Sequence, residues 1–257
     1  MKTLKIITLL VPVLILIYST CFEPYQLEKT FNEVTIGTSG KSLLVAHISD
    51  LHTSGLGTIE LKMIHSILSD KPDIIFITGD IATPGGTAQG YEDVLSKLQA
   101  PLGVYFVQGN WEYWEPIKGL KHILKNANII DLTNKYIHIK DDLWLVGLDD
   151  KLAGVPKLDT YKIVPGNDKI ISIFHSPVLF ESIGHKTDLA FAGHSHGGQI
   201  RLPFIGALWT PEGTGKYDAG WFQEGKAKMY VSRGLGNSIL PIRFNCKPEI
   251  SFIRVSY

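Results

Sequence analysis

Asp50 and His52 stand one residue apart, Asp80 follows a glycine at Gly79, and Asn110 follows another at Gly109. The later half of the chain adds His175 and the pair His194 and His196. Together these supply two carboxylates, one carboxamide and four imidazoles. All are oxygen or nitrogen donors, a set that suits two borderline divalent ions such as manganese, iron or zinc rather than calcium or a thiolate-seeking metal. Taken singly, Asp-x-His, Gly-Asp and His-x-His arise by chance, and His47, His65, His122, His138 and His185 read as ordinary core or surface histidines. Spacing sets the seven apart: Asp80 lies 28 positions after His52 and Asn110 lies 30 after Asp80, each one strand-plus-helix repeat.

The elements that must position these groups are legible as periodicity. Ser42–Ser49, Ile74–Thr78 and Val104–Gln108 are apolar runs of strand length, whereas Ile59–Ser69, Tyr91–Leu98 and Ile117–Lys125 carry helical spacing. A βαβαβ order argues for parallel pairing under covering helices, and ligands of such sheets gather at the carboxyl ends of the strands. Further strand candidates follow at Tyr136–Ile139, Leu143–Gly147, Lys169–His175, Leu189–Ala192, Gln199–Leu202, Met229–Ser232 and Glu249–Val255. The expected fold is α/β with two packed sheets, the first more parallel. Each of the seven donors then falls at a strand exit.

Composition bounds the remaining possibilities. The chain has 257 residues, 44% hydrophobic and 19% charged, which is enough apolar surface to exclude intrinsic disorder. Twenty-five basic and 25 acidic side chains cancel, so no nucleic-acid partner held by bulk charge is expected. Two cysteines exclude a disulfide scaffold, a four-cysteine zinc site and a ferredoxin-type cluster.

The N-terminus is read separately. Lys2 and Lys5 precede an apolar run from Ile6 to Tyr18, as in a signal peptide; extended to Phe22, the run reaches the lower end of membrane-spanning length. Residues 1–22 are therefore expected to be a signal peptide or membrane anchor, 23–40 a linker and 41–257 the functional domain. The lysines place that domain outside the cytoplasm, membrane-associated or exported. Cys21 follows Tyr18-Ser19-Thr20, which departs from a lipobox, and Cys246 reads as a buried thiol.

The segments Asp50-Leu51-His52, Gly79-Asp80, Gly109-Asn110 and Gly193-His194-Ser195-His196 resemble the motifs of the calcineurin-like metallophosphoesterase superfamily. The resemblance extends from about Lys41 to the C-terminus. The stretches Gly193–Pro203, Tyr230–Gly236 and Pro241–Ile250 are similar to a membrane-associated bacterial branch, some members of which act on UDP-2,3-diacylglucosamine in lipid A biosynthesis. The resemblance implies a four-layer α/β/β/α sandwich. It also implies one metal held by Asp50, His52, Asp80 and His196, and a second by Asp80 as bridge with Asn110, His175 and His194. Catalysis would run through a metal-activated water, with Asp80, Asn110 and His194 as the catalytic positions.

One position departs from the family pattern. Asn110 is followed by Trp111 and Glu112 where a histidine and an acid are usual. An indole cannot act as a general acid, a role that contributes about 10²–10⁴ in rate. Leaving groups that depart as stable anions would feel that loss least, which favours anhydrides and activated esters over alkyl monoesters. Trp111, with Tyr113 and Trp114, can alternatively wall the site or stack a base or sugar. Glu112 would orient a ligand or cap a turn, and Arg201 and Arg233 would contact phosphate or serve in surface ion pairs. The uncharged stretch from Pro203 to Trp209 is either a buried loop or an apolar lip that meets acyl chains or membrane. The expected function is a dinuclear-metal hydrolase of a phosphodiester or phosphoanhydride, its substrate a phosphorylated small molecule or lipid. A broad-specificity phosphodiesterase or phosphatase with soluble substrates, and a non-catalytic metal-binding envelope protein, are the competing readings. Lipid A chemistry belongs inside the cell, so the expected orientation instead suits an extracytoplasmic phospholipid, nucleotide or envelope substrate.

Overall fold

The computed structural model describes residues 2–257, with side chains from Leu10 onward. Helix α1 (Lys2–Ile17) leads through a π turn at Tyr18–Phe22 and a 3-10 turn at Glu23–Tyr25 into strand β1 (Glu28–Thr35). There follow β2 (Ser42–Ile48), α2 (Thr58–Asp70), β3 (Ile74–Ile77), α3 (Ala88–Leu95) and β4 (Val104–Phe106). A short α4 (Trp111–Trp114), then α5 (Leu120–Asn126) and β5 (Ile129–Asp131), complete the first half. The second half runs β6 (Lys135–Lys140), β7 (Leu143–Gly147), β8 (Lys169–Ile173), α6 (Phe180–Ile183) and β9 (Leu189–Ala192). It closes with a two-residue hairpin, β10 (Arg201–Leu202) and β11 (Gly206–Ala207), then β12 (Gly220–Glu224), β13 (Ala227–Val231) and β14 (Glu249–Ser256).

Two mixed six-stranded sheets result, in the orders β1-β14-β2-β3-β4-β5 and β12-β13-β9-β8-β7-β6. In the first, β2 to β5 pair in parallel, and β14 turns antiparallel against β2. In the second, β13, β9, β8 and β7 are parallel inside antiparallel edges. The second sheet is thus more parallel than its short, turn-separated runs suggest. Parallel strands covered on both faces need no polar alternation, which is why β3 and β9 are buried along their whole length.

Three apolar layers hold the stack together. Ile59, Met63 and Ile67 of α2, with Tyr91 and Val94 of α3, pack on the outer face of the first sheet. Val45, Phe76, Ile173, Phe191 and Ile253 fill the space between the sheets. Tyr161, Phe180 and Tyr217 cover the outside of the second sheet, where 3-10 turns and the four-residue α6 replace long helices.

The expected linker at 23–40 is corrected. Glu28–Thr35 pairs residue for residue with Glu249–Ser256 as a parallel edge strand. Alternation along β1 is hidden because its half-buried positions Glu28, Thr30 and Asn32 are polar while the apolar Phe31 is exposed. The strand expected at Gln199–Leu202 shrinks to the two residues of β10. The helix expected at Tyr91–Leu98 begins earlier, because Thr87 Oγ1 accepts the Gly90 N–H at 3.0 Å and caps it. Among the described residues, no helix is long and apolar enough to cross a membrane. Cys21 and Cys246 are free, the first exposed and the second buried.

Candidate metal centre

Parallel pairing aligns the carboxyl ends of the strands, and the site is assembled there. Asp50 and His52 leave β2, Asp80 leaves β3, Asn110 leaves β4, His175 leaves β8, and His194 and His196 leave β9. The donor atoms form two groups able to hold a metal ion, Asp50 with His52 and His196, and Asp80 with His175 and His194. Asp80 Oδ2 lies 3.1 Å from His175 Nε2 and 3.7 Å from His52 Nε2, and so faces both groups. Asp50 Oδ1 lies 3.3 Å from His196 Nε2 and 4.0 Å from His175 Nε2. Asn110 Oδ1 is 3.1 Å from His175 Nε2, which brings the seventh expected donor into the second group.

The backbone sets the direction of the imidazoles. His52 Nδ1 lies 2.9 Å from the Ala82 carbonyl and His175 Nδ1 lies 2.7 Å from the Thr78 carbonyl. A carbonyl accepts only, so each Nδ1 carries the proton and each Nε2 turns a lone pair inward. His194 is reversed: its Nε2 donates to the Glu212 carbonyl, leaving Nδ1 as the inward atom, 3.1 Å from His175 Nε2. His52 Nε2 and His196 Nε2 approach to 3.2 Å, and the buried Nδ1 of His196 has no partner.

Acceptors packed this closely repel unless a cation or a proton lies among them. Burial pushes the Asp80 carboxyl up to about 7 despite His175 beside it, and pushes Asp50 upward as well. Burial likewise holds His52 down to about 3, His194 down to about 4 and His196 well below the imidazole range. His175 goes the other way, because Asp80, Asp50 and Asp150 outweigh burial and favour its protonated form. A donor set of buried oxygens and inward nitrogens fits a pair of divalent cations. Such ions would balance the two carboxylates and engage every inward lone pair.

The geometry is held at a cost in backbone conformation. Asp50, His52, Asp80, His194 and His196 all have positive φ, between 41° and 70°, a region non-glycine residues seldom occupy. Strain of this kind collects at functional sites where the surrounding structure overrides it. Here the overriding contacts include the Asp50 carboxylate accepting the His194 N–H at 3.0 Å, and the Gly236 N–H bonding the Asp50 carbonyl at 2.7 Å.

The expected substrate contacts are rearranged. Glu112 is buried, and its carboxylate accepts four backbone N–H groups: Gly109 at 2.7 Å, Ile81 at 2.8 Å, Asp80 at 2.9 Å and Ala82 at 3.0 Å. It ties the Asp80 loop to the Asn110 loop and has no lone pair left to orient a ligand. Arg201 donates to Asp218 Oδ2 at 2.8 Å and to the Gly197 carbonyl at 2.9 Å, both from Nη1, and so forms an ion pair. Arg233 is likewise held by Glu249 and Glu28. Trp111 does line the site: its ring meets His52 edge-on at 5.2 Å between centroids, and it shares a cleft of about 210 Å³ with Trp114, Trp209, Asp80 and Asn110.

Sequence reasoning missed Arg243. It is fully buried and bonds the carbonyls of Cys246, Arg233, Gly234 and Gly236 and the Asn237 side chain. Those bonds fix the loop whose Leu235 and Gly236 N–H groups bracket Ser49 and Asp50. A single arginine between Ile242 and Phe244 carries no signal of such a role.

Comparison with known proteins agrees with this geometry. The family model for calcineurin-like phosphoesterase matches residues 43–198. An uncharacterized metallophosphoesterase of Bacillus subtilis, YkuE, is 34% identical over 256 residues, covering 91% of this chain and 87% of its own. The phosphodiesterase YaeI of Escherichia coli is 29% identical over 226 residues, covering 82% and 81%. Among solved structures, the NAD nucleotidase of Haemophilus influenzae superposes with a TM-score of 0.49 at 16% identity, over 76% of this chain and 46% of that one. The matched residues contain Asp50, His52, Asp80, Asn110, His175, His194 and His196, and on that ground the chain belongs to the calcineurin-like phosphoesterase family of metal-dependent phosphate ester hydrolases.

Proposed function

We propose that this enzyme hydrolyses a phosphodiester or phosphoanhydride at two divalent ions, one held by Asp50, His52, Asp80 and His196 and the other by Asp80, Asn110, His175 and His194. The observation that carries the reading is the set of inward lone pairs, fixed by the carbonyls of Ala82, Thr78 and Glu212, around two buried carboxylates. Bound there, the ions supply Lewis acidity to the phosphoryl group and acidify a water. The chain's own part is positioning and exclusion. Asp80 faces both groups from one oxygen while its other oxygen accepts the Trp111 N–H at 2.9 Å, so its carboxylate cannot swing away. Trp111, Trp114 and Trp209 wall the cleft against bulk water.

Trp111 offers no acid to a departing oxygen, which favours substrates whose leaving group is already a stable anion. Both an activated diester and a pyrophosphate satisfy this. The phosphodiesterase name of the Escherichia coli relative favours the diester. An apolar pocket next to His196, described below, favours a substrate with a lipid portion, such as a nucleotide-sugar lipid or phospholipid, over a wholly soluble one. The apolar N-terminal segment accords with a membrane-associated or exported enzyme acting outside the cytoplasm.

The test is turnover of bis-p-nitrophenyl phosphate and of a UDP-sugar lipid with added manganese. We expect manganese-dependent hydrolysis, reduced by about 10² or more in Asp80→Asn, since Asp80 would help hold both ions. Turnover that persists in chelator, or that ignores Asp80→Asn, would remove the basis for this reading.

A further inference from the structure

Two loops beside the metal centre carry no charged residue: Pro203-Phe204-Ile205-Gly206-Ala207-Leu208-Trp209 and Ser238-Ile239-Leu240-Pro241-Ile242. Both present large apolar side chains to the outside. Phe204 is 109% exposed, Ile239 77% and Ile205 71%. The first loop is not a loose tip, because the hairpin β10–β11 closes it and the Ile205 N–H bonds the Leu202 carbonyl. Phe204 sits at φ 66°, a conformation a bulky aromatic rarely takes, and there its ring is directed away from the protein. Backbone strain that exposes an aromatic ring, rather than burying it, points to a partner for the ring.

Between the loops lies an apolar pocket of about 270 Å³, walled by Ile200, Leu208, Trp209, Ile239 and Leu240, with His196 at its inner end. His196, Trp209 and Ile239 also line the metal cleft, so the pocket adjoins the cleft. The third feature is where α1 ends. The Ser19 carbonyl accepts the Arg243 N–H at 2.9 Å, and Glu23 bonds the Cys246 N–H, which fixes the root of the helix at the end of the second loop. From that root the apolar side chains from Leu10 to Ile17 are exposed on every side of the helix.

We propose that this rim seats on a lipid bilayer, with Phe204, Ile205, Leu208, Trp209, Ile239 and Leu240 in the interface and the pocket beside His196 taking an acyl chain of a lipid held there. A helix that is apolar all round needs an apolar surrounding, and a bilayer covers the helix and both loops together, whereas a groove on a folded partner would cover one of them. Trp209 is placed where aromatic residues favour the headgroup level. The role of the pocket rests on the phosphoesterase reading above; the seating of the rim does not.

The experiment uses the full chain in a Cys21→Ser background, with a spin label at Phe204→Cys or at Leu68→Cys. Leu68 is exposed near the end of α2, just before β3 begins and so at the end of the first sheet opposite the metal centre. Vesicles of phosphatidylethanolamine and phosphatidylglycerol are added, and collisions of each label with oxygen and with a water-soluble nickel chelate are measured. We expect the label at 204 to lose chelate collisions and gain oxygen collisions on vesicles, while the label at 68 stays unchanged. A label at 204 that remains open to chelate on vesicles, or that is already shielded without them by another protein copy, would overturn the proposal. Turnover of bis-p-nitrophenyl phosphate is measured in parallel. Its absence would defeat the hydrolase reading while leaving the depth result intact.

Discussion

Two neighbouring residues, Trp111 and Glu112, carry opposite lessons. Trp111 stands at the cleft wall, edge-on to His52. Replacing it by histidine puts an ionisable donor beside the cleft. Trp111→His is expected to raise turnover of alkyl phosphates by up to about 10² and to leave p-nitrophenyl esters nearly unchanged, because only the alkoxide needs a proton as it leaves. Equal gains on both substrates would defeat the leaving-group argument. Glu112, by contrast, belongs to the frame, since its carboxylate absorbs four backbone donors. Glu112→Gln turns one oxygen into a donor that faces buried N–H groups. We expect a loss of about 3 kcal/mol in urea unfolding, from donors left unpaired. A change in KM with stability intact would instead make Glu112 a substrate contact.

At the scale of elements, strand exits decide the site, and their turns are tight. Gly79 links β3 to Asp80 with φ 86°, and a Cβ there would stand 2.7 Å from the Gly109 Cα and 2.9 Å from the His175 ring. Gly85 has a similar φ of 78° but open space around it. Alanine at each position separates strain from collision. Gly85→Ala is expected to cost about 1 kcal/mol from the left-handed backbone alone. Gly79→Ala should cost several-fold more and weaken manganese binding measured by calorimetry, because the Asp80 and Asn110 loops must part. Equal costs at the two positions would show that the loops do not need close approach.

The whole molecule adds a pH dependence that no single loop carries. His47 lies between the two sheets, with its Nε2 2.8 Å from Thr78 Oγ1 and its ring edge-on to Phe191. Burial holds it down to about 3, although Glu249 acts to raise it, against 6.5 when free. Below pH 6.5 the unfolded chain therefore binds a proton that the folded chain refuses until the pH nears 3. Stability from this group is full above pH 6.5 and falls as the pH drops, by about 1.4 kcal/mol per unit. With metal removed by chelator, the urea midpoint should fall between pH 7.5 and 5.5. Over that window His47→Gln should lose about 1.4 kcal/mol less in total than the parent, even though the variant starts less stable. Identical slopes would exclude His47 as a source.

Much of this molecule is determined by local sequence. The apolar runs at β2, β3, β4, β8 and β9 are strands in any packing that buries both sheet faces, and the donor types at their exits already specify oxygen and nitrogen ligation. Other features became visible only in three dimensions. Strand β1 exists because β14 offers it a parallel edge some two hundred residues away. The functions of Glu112 and Arg243 depend on which N–H and carbonyl groups the folded loops bring around them, and residue type alone cannot report that. The same holds for the directions of the imidazoles. Sequence names each histidine, but the choice between Nδ1 and Nε2 belongs to whichever backbone carbonyl lies behind the ring, and tertiary packing alone sets that neighbour.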